Sequence, residues 1–157
     1  MSLNNIMSEM LGNQYFLSRN YSMAAHVYSE VNLADPQNLS VRKRLIICFT
    51  QTGELSKAFD FFYGLVKENV KYLIDTDAVA DDCPCNELAE KYGRILPYEE
   101  NSSDLKLLLG ILWLYCDVNK SLEFFKQLSL INPDEKRFSD IVFEIENYLN
   151  LNKIKLN

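Results

Sequence analysis

Apolar residues recur along this chain at three- and four-residue steps, and strict alternation is absent, so the sequence predicts helices and no strands. Between residues 6 and 17 the large positions are Ile6, Met10, Leu11 and Tyr15. Between 23 and 33 they are Ala24, Val27, Tyr28 and Val31, and the stretches 39–50 and 55–73 continue the habit. Short polar breaks at 18–22 and 51–55 divide these segments into pairs. Gly53 in the second break suits the left-handed conformation that ends a helix. Asp35-Pro36 should stop the second helix, because proline donates no backbone hydrogen bond and biases its predecessor away from helical angles.

The segments repeat. A shift of 34 residues lays Leu11 on Leu45, Tyr15 on Phe49, Ala24 on Ala58 and Tyr28 on Phe62. A fixed offset interrupted by turn residues marks an array of supersecondary units and not a continuous heptad seam. In the first unit Leu11-Gly12, Tyr15, Ala24, Tyr28 and Pro36 stand at the spacing of the tetratricopeptide repeat, which this sequence resembles. Ser8 stands where that pattern has a large residue. Gly12 and Ala24 would let two antiparallel helices approach, while Tyr15 and Tyr28 fill the space beside them. The second unit keeps Leu45, Phe49, Gly53, Ala58 and Phe62, but Ile46 replaces the small residue, and Val70 stands in the proline position. Its second helix is therefore expected to run on to Leu73 or Ile74. Counting back from Pro133 gives a third unit with Leu105, Leu108, Leu112, Ser121, Phe125 and Leu128, capped near Ser102, Ser103 or Asp104.

The expected fold is all-α: a single domain over 1–157, a right-handed superhelical stack of antiparallel hairpins of tetratricopeptide type. The units fall at about 5–38, 39–72 and 102–135. Residues 76–101 are extra; Pro84 and the run Glu87, Leu88, Ala89, Tyr92, Ile95 predict one added helix there, ended by Pro97. Residues 134–151 form a capping helix with Phe138, Ile141, Val142, Ile145 and Leu149 on one stripe.

Charge narrows the partners. The net charge is −6, whereas nucleic-acid binding calls for a basic face that displaces counterions from phosphates. No nucleic-acid partner is expected. The stretch 107–116 is too short to cross a bilayer, which takes roughly 20 apolar residues. The first residues show no basic region leading into an apolar run. The expectation is thus a cytoplasmic protein, without a membrane partner, whose four cysteines are reduced thiols.

Candidate chemistry is sparse. Cys83-Pro84-Cys85 at a helix start admits a redox or metal role, though structural zinc takes four N/S ligands, and Cys48 and Cys116 read as core. Asp75, Asp77, Asp81 and Asp82 lack the glycine and terminal glutamate of a calcium loop and read as helix-capping residues. His26 is the only histidine, without a nucleophile motif or phosphate loop beside it. No enzyme activity, cofactor or metal is expected. The resemblance implies instead a partner protein or peptide held by the first helices of the units. The positions so implied are Ile6, Glu9, Asn13, Phe16 and Leu17; then Ser40, Lys43, Ile47, Thr50 and Gln51, with Arg44 adjacent; and in the third unit Ser103, Lys106, Gly110, Trp113 and Leu114. Phe16 and Trp113 are candidate anchors. The mode that grips the acidic C-termini of heat-shock chaperones is not expected, since Glu9, Ser103 and Leu107 replace its basic residues. Two other readings remain: a small acidic chaperone similar to those of type III secretion translocators, and a metal or redox sensor at Cys83/Cys85. A homodimer through a terminal helix is a further expectation.

Overall fold

The computed structural model describes residues 2–156, and their side chains as far as Lys153. Among these residues every regular element is helical: α1 (Leu3–Leu17), α2 (Tyr21–Ala34), α3 (Leu39–Gln51), α4 (Leu55–Ile74), α5 (Cys85–Gly93), a 3₁₀ turn (Leu96–Tyr98), α6 (Ser103–Leu114), α7 (Val118–Ile131) and α8 (Lys136–Leu156). Neighbouring helices pack consecutively: α1 on α2, α2 on α3, α5 on α6, α6 on α7 and α7 on α8. The chain divides into two compact units, Met1–Phe62 and Tyr63–Asn157, with the boundary inside α4.

The repeat in sequence returns as a repeat in local conformation. The first helices of the three hairpins end at Leu17, Gln51 and Leu114, and the second helices begin at Tyr21, Leu55 and Val118. Each junction therefore takes three residues, 18–20, 52–54 and 115–117. Arg19 and Gly53 carry positive φ (62° and 75°) at corresponding places. Asn20 and Asp117 accept from backbone N–H groups of the next helix and cap it. The second helices α2 and α7 both have 14 residues. Helix α4 has 20, but Asn69 inside it is non-helical, with φ −163° and ψ 76°. The part before it, 55–68, is again fourteen residues long.

Helix α4 thus runs on to Ile74, as expected, but with a break at Asn69. Asp35 (φ −140°, ψ 80°), Asn69 and Asn132 (φ −131°, ψ 77°) share one non-helical conformation at the end of their fourteen-residue helices. Proline follows the first and third but not the second. At Asn69 the side chain does the work instead: its Oδ1 accepts from the N–H of Tyr72, 3.2 Å away, and so caps a short leg, 70–74. The added helix, α5, is shorter than expected, and Pro97 sits within the 3₁₀ turn after it. Helix α8 extends to Leu156, past the expected end at residue 151.

Close helix approach follows the small residues. Ala24, Ala58 and Ser121 are fully buried. A Cβ placed on Gly12 would lie 2.6 Å from Cε1 of Tyr28. On Gly110 it would lie 2.9 Å from Cε2 of Phe125, and the Ser121 hydroxyl donates to the Gly110 carbonyl at 2.6 Å. Gly110 thus takes in α6–α7 the part that Gly12 takes in α1–α2. It was expected to line the binding surface; it belongs to the hairpin contact. In unit 1 the core gathers Phe16, Tyr28, Val31, Leu45, Ile46 and Phe62; in unit 2 it gathers Leu109, Leu112, Phe125, Leu128, Ile141 and Ile145.

Candidate partner-binding face

Helices α1 and α3 lie next to each other in unit 1, and their facing sides carry a polar cluster anchored on a buried ring. Tyr28 is buried within the first hairpin, and its hydroxyl donates to Oδ1 of Asn13 at 2.6 Å. The same oxygen accepts from Nη1 of Arg44 at 2.5 Å. A guanidinium can only donate, so the Asn13 amide must turn its oxygen inward. Its Nδ2 hydrogens then make no bond among the described residues and face outward as an unspent donor pair. Burial raises the Tyr28 hydroxyl to about 12, against the lowering effect of the Arg44 hydrogen bond and charge. Tyr28 stays a neutral donor throughout the physiological range.

Around this pair the cluster widens. Nδ2 of Asn38 donates to Oε2 of Glu9 at 3.0 Å, tying the α3 cap back to α1. The Arg44 guanidinium sits 5.4 Å from the centroid of Phe16, an arrangement in which the ring face attracts the cation. Nε2 of Gln51 donates to the Thr50 hydroxyl at 3.2 Å, which itself donates to the Ile47 carbonyl. Glu9, Asn13, Arg44 and Gln51 are half-buried.

The remaining implied positions divide by burial. Phe16 (1% exposed), Ile47 (1%), Lys43 (7%) and Trp113 (8%) are buried, so the two candidate anchors are packing residues in this conformation and are not offered to a guest as they stand. Phe16 meets Tyr21 edge-on, with ring centroids 6.0 Å apart. Lys120 covers Trp113, its Nζ 4.1 Å from the ring centroid. Lys106 is half-buried and borders a hollow of about 360 Å³ with Leu96, Glu100, Asn101 and Gln127. The spacing of apolar residues in α1 and α3 carries the reason: one stripe cannot serve both the core and a groove.

The other candidate chemistries find little support. Cys83 and Cys85 are joined as a disulfide, with Cα atoms 5.4 Å apart. The expectation of four reduced thiols is corrected for this pair, and two sulfurs bonded to each other are not free thiolate ligands. Cys48 and Cys116 are free. Burial pushes Cys48 to about 12, and burial and then Asp117 push Cys116 to about 11, so both are protonated near neutrality. The aspartates beside the disulfide organise a turn: Asp77 accepts from the N–H groups of Val79 and Ala80, Asp81 accepts from that of Asp77, and Asp75 pairs with Lys71. His26 is exposed beside Glu30 at 3.6 Å. Among the described residues no group of three or more His, Cys, Asp or Glu side chains is placed to hold a metal, and no helix is long and apolar enough to cross a membrane.

Comparison with known proteins yields no matching protein family, no matching curated protein and no matching solved structure.

Proposed function

We propose that this chain is a helical-repeat protein of tetratricopeptide type, its hairpins stacked as a right-handed superhelix, and that it binds an extended segment of another polypeptide along the α1/α3 face. The repeat reading rests on three hairpins with equal junctions, fourteen-residue second helices and a residue of the same non-helical conformation at their ends. The binding reading rests above all on Asn13, whose inward oxygen is fixed by Tyr28 and Arg44 while its amide hydrogens stay unspent. A side-chain amide held in one orientation on a rigid helix can donate to a main-chain carbonyl of a guest at little further ordering cost. Glu9, Arg44 and Gln51 beside it supply both charges and an amide, which suits a guest of mixed character.

The test is selection from a random peptide library on the full chain, followed by fluorescence anisotropy on the selected peptides. An Asn13→Ala, Gln51→Ala double variant should weaken them at least ~10-fold, about 1.4 kcal/mol, with its helical circular dichroism kept. Peptides that bind both proteins equally, or a library that gives none, would dismiss the reading.

A further inference from the structure

Helix α1 buries its less apolar side. Toward α2 and α3 it turns Ser8, Glu9, Gly12, Asn13 and Phe16, whereas Leu3, Ile6, Met7, Met10, Leu11 and Leu17 are between 42% and 71% exposed. At 3.6 residues per turn these six fall within an arc of about 140°, and Gln14 is the one polar residue among them. Contiguous apolar patches of this kind on a folded surface mark interaction sites.

We propose that this face of α1 is a dimer interface and that its occupant is a second copy of the chain, packed antiparallel about a twofold axis near Met10. Three observations favour that occupant. The first is symmetry. The seam positions 3, 7, 10, 14 and 17 alternate steps of four and three, the spacing of a two-helix coiled contact. Leu3 and Leu17 lie seven residues on either side of Met10, so a twofold axis there sets Leu3 opposite Leu17 of the other copy and Met10 opposite itself, as an isologous interface demands. The second is charge. Copies with a net charge of −6 repel one another, yet the only charged residue of α1 is Glu9, which lies on the opposite side, bonded to Asn38. The meeting face is neutral. A lipid surface is disfavoured by the same fact, since helices that lie on membranes carry Lys or Arg on their polar side and α1 carries none. The third is area. The exposed fractions correspond to roughly 600 Å² per copy, so a pair would cover about 1,200 Å², the lower bound of standard stable interfaces. Two methionines at the centre give that seam adaptable packing.

The experiment is sedimentation equilibrium of the full chain at loadings from roughly 1 to 100 µM, the range in which an interface of this size dissociates. The expected species is a dimer of twice 18.2 kDa that dissociates on dilution. Met10→Glu sets two carboxylates on the axis and should give monomer at every loading with helical circular dichroism unchanged. An equimolar mixture of Met10→Glu with Met10→Lys should return to dimer. As a check that needs no charge, Met10→Cys in a Cys116→Ser background should cross-link under mild oxidation, and Leu33→Cys, still more exposed on α2, should not. Wild-type protein that stays monomeric, a dimer indifferent to Met10→Glu, or equal cross-linking from both cysteines overturns the proposal. So does a monomer that binds zwitterionic vesicles through this face.

Discussion

The contact between Gly12 and Tyr28 sets the spacing of the first hairpin, and Gly12→Ala measures it. The new methyl would stand 2.6 Å from Cε1 and 2.7 Å from Cδ1 of the ring, against about 3.5–4.0 Å for an ordinary carbon contact. The shortfall is about 1 Å on that scale. Tyr28 cannot absorb it by a simple swing, because it is fully buried, touches Phe16 at 6.4 Å between centroids and is tethered at its hydroxyl to Asn13. Overpacking of this kind costs about 1–3 kcal/mol. Loss of the tether would add about 1 kcal/mol. Alanine returns about 1 kcal/mol through its better helix propensity. The net expectation is a loss of about 1–3 kcal/mol, read from urea unfolding followed by far-ultraviolet circular dichroism. Gly93→Ala supplies the control: no atom lies within 4 Å of the place its methyl would take in α5, so only the propensity gain applies, and stability should hold or rise. Tyr28→Leu combined with Gly12→Ala should recover part of the loss through favourable coupling. A Gly12→Ala protein as stable as wild type would falsify the close-approach argument.

The break at Asn69 predicts that Val70→Pro is tolerated within about 1 kcal/mol, since proline at the first position after a cap costs little; an unbroken helix would lose about 3 kcal/mol in the same unfolding assay. Ala24→Leu and Ala58→Leu, both at fully buried sites, should each lose about 1–3 kcal/mol, and no change in both would contradict the assigned contacts. In a spectroscopic tyrosine titration, Tyr28 should ionise near pH 12. Its folded value lies above the unfolded one of about 10, so ionisation opposes folding there: stability is level below about pH 10 and declines as the pH rises toward 12. Thiol counting on unfolded, unreduced protein should find two reactive cysteines and, after reduction, four; four before reduction would rule out the Cys83–Cys85 bond.

Helix content and hairpin order are legible in the sequence because the offset of 34 residues lets every apolar position be checked against its copy. Ala24 and Ala58 are readable for the same reason: a small residue repeated inside a large-residue stripe has a steric purpose. Gly12 has Ile46 at its offset and is readable only from the spacing of the first unit. The break within α4 is not legible, since proline is the expected marker and Asn69 reaches the same backbone conformation by capping the next leg with its side chain. The place of Gly110 escapes a count back from Pro133, because that count pairs Leu109 with Gly12. The positive φ of Arg19 and Gly53 has no counterpart in the third junction, and the glycine that meets the ring is one position later. The partner-binding face is half legible. Residue type and spacing find Asn13 and Arg44, but no one-dimensional pattern separates an aromatic that faces a guest from one that faces the core. Phe16 and Trp113 face the core. The apolar outer stripe of α1 is masked in the sequence by the hairpin pattern it shares, and only the exposure of its residues separates the two.

Sealed helix ends make a chain tolerant of additions. Asn69 finishes one helix and caps the next leg within a single residue, and at the end of that leg the carbonyls of Lys71 and Leu73 accept from the N–H groups of Asp75 and Thr76. The same holds on the far side, where Ser102 accepts from the N–H of Leu105 and opens α6 by itself. Residues 75–101 lie between two capped boundaries, and within them α5 packs on α6 and buries Leu88 and Ala89, so length can vary in the loops on either side of α5 but not in α5 itself. Modularity here comes from the two polar side chains that punctuate the repeats, and not from the regularity of the repeats themselves.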